Sequence, residues 1–321
     1  MKGMVVGLDT SNYRTSIALV TEEGKILLNF RKLLPVPTGE RGIRQNEAVF
    51  AHLKQLSEAA EEVRAAEKGK ILAVAASTAP RDGAESYMPV FMAGASYGRL
   101  AAAALGVPFF GTTHQKGHLA AAKAGTELAE AEEYLALHLS GGTTDLLEVR
   151  RREVLQIGGS LDLHAGQLVD RAGVAMGCSF PAGPELEQLA LSGKSEGRLG
   201  CSMAEGDLCC HFSGAESQVQ RWIREKTLSR EDTAREIYDH LARTICRMLA
   251  AGARKTGLHK ALVTGGVASS ALFRQMLQLR AEGNRNAPEI VFGKPEMSGD
   301  NAVGVALIGL EMLKKSGEPI L

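Results

Sequence analysis

Aromatic residues are scarce in this chain of 321 residues: they make up 5% of it, with a single tryptophan. Glycine and alanine are abundant, so we expect helices and sheets that pack closely through small side chains rather than around an aromatic core. Net charge is also lacking, because 37 Lys and Arg balance 37 Asp and Glu. Such a chain has no overall attraction to nucleic-acid phosphate, so any contact with nucleic acid must rest on a local surface.

Features typical of secreted and membrane proteins are missing as well. The five cysteines include no C-x-x-C pair and no zinc-knuckle spacing, which favours reduced thiols. No apolar run reaches the length of about 20 residues that spans a bilayer. The chain runs almost at once into the short apolar stretch from Met4 to Leu8, which is too short for a signal peptide. We therefore expect a cytoplasmic protein without membrane contact.

The order of the predicted elements indicates an α/β protein made of two similar halves. Each half begins with strands joined by a turn of Ser, Gly or Thr residues, at 10–14 and at 140–143, and continues with helices and further strands. A late strand ends in Gly265 and Gly266. Paired turns of this kind are typical of the two-lobe actin, Hsp70 and sugar-kinase (ASKHA) fold, with its duplicated mixed-sheet domains. There, backbone N–H groups of both turns face nucleotide phosphates.

The clearest chemical signal is the pair His114 and His118. Histidines four residues apart share one helix face, so both imidazoles can bind one metal; two unrelated surface histidines are the alternative. Gln115 stands where a zinc protease has its glutamate base, which argues against a peptidase. Asp300, just before the last predicted helix, is either a third ligand or a helix N-cap. His138, at the end of a strand, is either a fourth ligand or a structural histidine.

Seven short motifs follow one another along nearly the whole chain. They lie at residues 114–118, 140–142, 161–170, 180–185, 212–214, 265–268 and 298–301. In order and spacing they resemble the TsaD family, once labelled O-sialoglycoprotein endopeptidase or glycoprotease. The resemblance implies that His114, His118 and Asp300 bind iron or zinc, and that His138 takes the place of a tyrosine ligand found in some members.

The resemblance also implies a nucleotide site. The residues expected to line the substrate or nucleotide are His138, Leu139, Ser140, Gly141, Gly142, Asp170, Gly183, Glu187, Gly265, Gly266 and Ser270. Asp170 is expected to hold the ribose hydroxyls, and Ser270 replaces an asparagine that lies near the adenine in the family. Residues 1–125 with 301–321 would form the first lobe and 126–300 the second, with metal and nucleotide in the cleft between them.

The implied reaction is an acyl transfer to tRNA. A partner enzyme makes threonylcarbamoyl-adenylate, and the N6 amine of adenosine-37 attacks its carbamoyl carbon while AMP leaves. A TsaB-like companion and a dimer through the first lobe are further partners that the resemblance implies.

The first turn departs from the family pattern, because Tyr13 and Arg14 replace two acids. The chain is therefore predicted to be a divergent paralogue, with Ser11 and Arg14 as candidate catalytic residues. Three alternatives stay open: transfer to a small molecule, a non-catalytic companion of TsaD, and a kinase or ATPase with Asp9 or Asp145 as its catalytic acid.

Overall fold

The computed structural model describes residues 3–11, 13–35, 43–66, 69–83, 85–203 and 207–317. Asn12 of the first turn lies outside the described residues. The chain divides into two compact units, Met1–Ala124 with Gly299–Leu321, and Gly125–Ser298. The predicted division had placed residue 125 in the first lobe and residues 299 and 300 in the second; the structure assigns residue 125 to the second unit and the other two to the first. The cleft between the lobes stays a prediction.

The first unit is built on a mixed sheet. Its strands are β1 (Gly3–Ser11), β2 (Arg14–Thr21), β3 (Ile26–Leu33), β4 (Lys70–Ala79) and β5 (Phe109–Thr113). Its helices are α1 (Gln45–Ala66), α2 (Val90–Leu105), α3 (His114–Lys123) and α9 (Val303–Ser316). The strand order is β3-β2-β1-β4-β5. The first three strands form an antiparallel meander, and β1, β4 and β5 run parallel.

The second unit repeats this plan. Its strands are β6 (Glu133–Leu139), β7 (Thr144–Arg150), β8 (Glu153–Ser160), β9 (Cys209–Cys210), β10 (Lys260–Thr264) and β11 (Glu289–Phe292). Its helices are α4 (Ala165–Ala175), α5 (Gly183–Ser192), α6 (Ser213–Glu225), α7 (Arg230–Thr256) and α8 (Ala271–Glu282), with 3-10 turns at Val267–Ser269 and Pro295–Met297. The strand order is β11-β10-β6-β7-β8-β9. An antiparallel meander again meets a parallel pair, β6 with β10. The predicted class, α/β with duplicated mixed sheets, is confirmed.

Close backbone approach fixes the last helix within the first unit. A Cβ added to Gly304 of α9 would lie 1.8 Å from the carbonyl oxygen of Gly117 in α3. A Cβ on Gly7 of β1 would lie 2.5 Å from the carbonyl oxygen of Ala302. Helix α9 therefore touches both β1 and α3 through glycines, which holds the segment just before it against α3.

A buried histidine in the first unit makes stability depend on pH. His52 of α1 is fully buried and shares a hydrogen bond of 2.8 Å with the Thr15 hydroxyl. Burial lowers the pKa of His52 to about 4, against smaller opposite effects of the Ser11 backbone and Asp9. The unfolded chain therefore takes up this proton near pH 6.5, whereas the folded chain resists it, so stability falls as pH drops from about 6.5 to 4.

We expect His52→Gln to weaken this pH dependence, because glutamine cannot be protonated. Between pH 7 and pH 5 the histidine should cost the wild-type unit about 2 kcal/mol, or roughly 4–8 °C in melting temperature. Thermal unfolding at both pH values measures the difference. A variant whose melting temperature drops as far as that of the wild type would contradict this assignment.

None of the described helices combines the length and the apolar character needed to span a membrane.

Candidate functional site

The two motif histidines project from the start of α3. The Thr113 side chain caps this helix by accepting the N–H of Lys116 at 3.3 Å. His114 is the first helical residue and His118 lies one turn later, so their rings share a face, with centroids 4.4 Å apart. The strand–helix junction β5–α3 thus sets both imidazoles at the end of the sheet.

Asp300 reaches the same point from the other end of the chain. Its Oδ1 lies 3.2 Å from Nε2 of His118 and 3.7 Å from Nε2 of His114, and the two Nε2 atoms are 3.0 Å apart. The N-cap alternative for Asp300 does not hold, because it is the Asn301 side chain that accepts the N–H of Val303, at 3.1 Å. Among the described residues, these three side chains form the group able to hold a metal ion.

Asp9 of β1 lies behind His114 and was not predicted in this role. Its Oδ2 is 2.6 Å from Nδ1 of His114, and its Oδ1 accepts the N–H of Ser11 at 2.9 Å. The side chain is 1% exposed. We assign the proton of this bond to Nδ1, so Nε2 is the atom that faces His118 and Asp300 and that can bind a metal once its own proton is released. The sequence feature that could have indicated this role is the position of the acid, two residues before Ser11 of the first turn.

Charges around the cluster shift two pKa values in opposite directions. Burial by itself lowers the pKa of His114, but the Asp9 carboxylate, helped by Asp300, raises that pKa to about 8. Burial raises the pKa of Asp300, but its hydrogen bond with His118 and the nearby charges of His114 and Arg14 hold it well below its ordinary value. The site therefore contains an ionised carboxylate that attracts cations.

The donor set fits a metal ion of the kind the family implies. Bonds of about 2.1 Å in a tetrahedral site place neighbouring donor atoms roughly 3.4 Å apart. The three separations here, 3.0, 3.2 and 3.7 Å, lie close to that value. Two imidazoles and one carboxylate suit both zinc and iron, and the Asp9–His114 bond is the outer-shell partner that such ligands usually have.

His138 lies on β6 of the second unit, where it pairs with Asp145 of β7 and Thr264 of β10. Its role as a fourth ligand stays a prediction.

The second turn, at residues 140–143, is held by hydrogen bonds to its own serine. The hydroxyl oxygen of Ser140 accepts the N–H groups of Gly142 and Thr143, at 3.2 and 3.0 Å. A Cβ added to Gly141 or Gly142 would meet nothing within 4 Å, so both glycines face open space. Gly166 of α4 approaches the turn so closely that a Cβ there would lie 2.6 Å from the N atom of Gly141.

A cavity of about 350 Å³ opens beside this turn in the second unit. The predicted site residues that line it are Gly141, Asp170, Gly183, Glu187, Gly266 and Ser270. The lining described here does not include the other predicted residues of this site, which are His138, Leu139, Ser140, Gly142 and Gly265. Leu139 is fully buried, and a Cβ on Gly265 would lie 2.2 Å from its carbonyl oxygen.

Each carboxylate of the cavity uses one oxygen on the backbone. Asp170 Oδ1 accepts the N–H of Ala182 at 2.8 Å, and Glu187 Oε1 accepts the N–H of Leu272 at 2.8 Å. The second oxygen of each group takes no part in these bonds. The Ser270 hydroxyl accepts the N–H of Phe273 as the N-cap of α8. Tyr238, which sequence patterns gave no reason to select, also lines the cavity and donates to the Gly183 carbonyl at 3.2 Å.

Solved structures with the same architecture identify the fold. The chain aligns with HypF of T. kodakarensis at a TM-score of 0.60 and 16% identity, covering 98% of this chain and 48% of that one. It aligns with a ROK hexokinase from Thermus thermophilus at a TM-score of 0.55 and 19% identity, over 98% and 100% of the two chains. At these identities the likeness shows the fold alone, which is that of the sugar-kinase class.

The family follows from the sequence matches. The model of the family TsaD: tRNA N6-adenosine threonylcarbamoyltransferase matches residues 36–306. A tRNA N6-adenosine threonylcarbamoyltransferase of Corynebacterium aurimucosum is 28% identical over 98% of this chain and 94% of its own. One of Methanopyrus kandleri is 29% identical over 95% and 86%. The chain belongs to the TsaD family, as the motifs predicted.

Proposed function

We propose that this protein transfers a threonylcarbamoyl-type group from an adenylate to the N6 amine of adenosine-37 in tRNA. The observation that carries the proposal is the cluster of His114, His118 and Asp300, with Asp9 bonded behind His114. Family membership supports an acyltransferase acting in tRNA modification. The reaction forms an N6–carbamoyl bond, breaks the bond between the carbamoyl carbon and the phosphate oxygen, and releases AMP.

One divalent metal, iron or zinc, is the proposed cofactor. His114, His118 and Asp300 would hold it. When bound, such an ion polarises and orients the acyl group to be transferred. Asp9 keeps the His114 ring in the orientation and tautomer that metal binding needs.

The adenylate is proposed to occupy the cavity of the second unit. Asp170 and Glu187 each have one oxygen beyond the backbone bond described above, and a carboxylate oxygen is a strong acceptor for ribose hydroxyls. Gly141, Gly183 and Gly266 line the cavity without placing a side chain in it. The Ser270 hydroxyl serves as a helix cap, which supports a weaker contact with the adenine than an asparagine amide provides.

The test is a reconstituted transfer assay. The purified full-length chain is mixed with an adenylate-forming enzyme, a TsaB-like companion, ATP, threonine, bicarbonate and tRNA. The modified adenosine is then measured by mass spectrometry of the digested RNA. Product that depends on this chain supports the proposal. If small amines are modified and tRNA is not, the acceptor is a small molecule.

Asp9→Asn should weaken metal binding without unfolding the first turn. Asparagine keeps the oxygen that accepts the Ser11 N–H but offers an amide N–H₂ to His114, which favours the wrong tautomer. We expect a loss of metal affinity of about 10- to 100-fold, measured by titration with zinc. Asp207→Asn, an exposed acid of the second unit, is the control. Equal zinc affinity of Asp9→Asn and the wild type would show that Asp9 does not orient His114.

Glu187→Gln should weaken nucleotide binding, and Glu185→Gln on the same helix serves as the matched control. Both glutamates accept one backbone N–H, but only Glu187 lines the cavity. We expect about tenfold weaker AMP binding for Glu187→Gln and for Asp170→Asn, because a charged acceptor is lost. Calorimetric titration measures the affinities. Equal losses in the Glu185 and Glu187 variants would indicate an effect on α5 rather than on the ligand.

The kinase or ATPase alternative has less support. Both carboxylate oxygens of Asp9 are engaged, by His114 and by the Ser11 N–H, and Asp145 Oδ1 accepts from Gln156 at 3.1 Å. The replacement of two family acids by Tyr13 and Arg14 is the basis of another alternative, a non-catalytic companion of TsaD. Purified chain that contains no metal and binds a TsaD enzyme would support that alternative.

Protein partners are proposed for the first unit. Helix α2 exposes large apolar side chains that suit contact with a TsaB-like companion or a second copy, namely Met92, Tyr97, Leu100 and Leu105. The proposed setting is the cytoplasm, together with an adenylate-forming enzyme and tRNA.

A further inference from the structure

The hairpin of β1 and β2 directs four polar side chains to one face. Asp9 pairs with Ser16 and Ser11 pairs with Arg14 across the antiparallel strands, and directly paired residues point to the same side. Asp9 and Ser11 are two apart on one strand, so they share that side as well. Because Asp9 contacts His114, this face is the one that meets the His114–His118–Asp300 cluster.

The Ser11 hydroxyl has no protein partner on this face. Ser11 is 4% exposed, and its Oγ makes no hydrogen bond to any described residue. A buried hydroxyl without a partner is costly, on the order of 1–3 kcal/mol, so it is expected to meet a ligand.

Arg14 is the neighbouring cation. Its Nη1 lies 3.8 Å from the place of a Cβ on Gly299, the residue before Asp300. Within the described part of the chain, its guanidinium forms no ion pair or hydrogen bond. Its charge nevertheless helps to lower the pKa of the Asp300 carboxyl. Five N–H donors and a full positive charge therefore remain next to the cluster.

We propose that Arg14 and Ser11 form the subsite, beside the cluster, that binds the carboxylate of the transferred acyl group. This rests on the proposed function, in which the phosphate stays with the nucleoside and the amino-acid part of the acyl group meets the cluster. The carboxylate of that amino-acid part is then the anionic group of the substrate that can pair with Arg14. A guanidinium binds a carboxylate through two parallel bonds, and the Ser11 hydroxyl supplies a third donor.

The experiment compares N-carbamoyl-L-threonine with its neutral amide, N-carbamoyl-L-threoninamide, by calorimetric titration of the zinc-loaded full-length protein. The wild type should bind the acid about 10- to 100-fold more tightly than the amide. Arg14→Gln should remove this preference and leave the affinity for the amide unchanged. Arg14→Lys should retain part of the preference, because an ammonium group keeps the positive charge but cannot form the two parallel hydrogen bonds of a guanidinium. Ser11→Ala should weaken binding of the acid by about threefold to tenfold.

Arg64→Gln is the matched control, since it removes an exposed arginine of α1 in the same unit. The proposal is wrong if the wild type binds neither compound or binds both equally, or if Arg14→Gln keeps the preference. It is also wrong if Arg14→Gln weakens binding of inorganic phosphate but not of the acid, which would define a phosphate subsite.

Metal content, determined for each protein by elemental analysis, separates this proposal from the function it rests on. A chain that binds no metal refutes the metal-dependent function, whereas the acid–amide comparison in metal-free protein still tests Arg14. A metal-loaded chain without preference for the acid refutes the subsite alone.

Discussion

Asp300→Asn is expected to weaken metal binding strongly. The substitution keeps the shape of the side chain but removes the charge that faces both His118 and His114, at 3.2 and 3.7 Å. Two neutral imidazoles alone hold a divalent ion far more weakly than two imidazoles and a carboxylate, so affinity should fall by about 100-fold or more. Elemental analysis of the purified variant and zinc titration measure the loss, and transfer to tRNA should fall with it.

The control for this variant is Asp207→Asn, which also removes one acid but lies away from any described metal donor group. Its metal content should equal that of the wild type. If Asp300→Asn retains metal at the wild-type level, the three side chains are not its ligands, and the proposed function loses its main support.

Gly304→Ala is expected to damage both stability and the cluster. The new methyl group would lie 1.8 Å from the Gly117 carbonyl oxygen and 2.7 Å from the backbone N of Ala121, and backbone atoms cannot rotate away. Helix α9 would have to move off α3, at a cost of about 3 kcal/mol. Since Asp300 precedes α9 and both histidines lie on α3, the same movement should separate the carboxylate from the imidazoles.

Thermal unfolding and zinc titration test this expectation together. Gly214→Ala in α6 is the matched control, because a Cβ there would meet nothing within 4 Å and alanine favours a helix. The control should change stability by less than about 1 kcal/mol and leave zinc affinity unaltered. Wild-type zinc affinity in Gly304→Ala would mean that the close packing of α9 does not position Asp300.

Secondary structure was largely predictable because most elements have regular patterns. The sequence pattern predicts a helix at about residues 230–256, and this is α7, Arg230–Thr256. The apolar run at residues 71–76 predicts a buried strand, and it lies within β4, Lys70–Ala79. The two-residue strand Cys209–Cys210 was not predicted, since a strand this short has no periodicity and forms only by pairing with β8.

The sequence by itself determined the pairing of His114 with His118. Their spacing equals about one helical turn, and a local repeat of that kind holds wherever a helix forms. The motifs likewise determined the family and, through the alternation of strands and helices, the fold class.

Tertiary structure alone decided which further groups join the two imidazoles. Asp300 and Asp9 arrive from opposite ends of the chain, and no periodicity links residues so far apart. Their contacts depend on α9 packing on α3 through Gly304 and on the end of β1 lying beside the start of α3. Nor does the sequence indicate that the side chain of Asn301, rather than that of Asp300, accepts the N–H of Val303, because that depends on which side chain the backbone turns toward Val303.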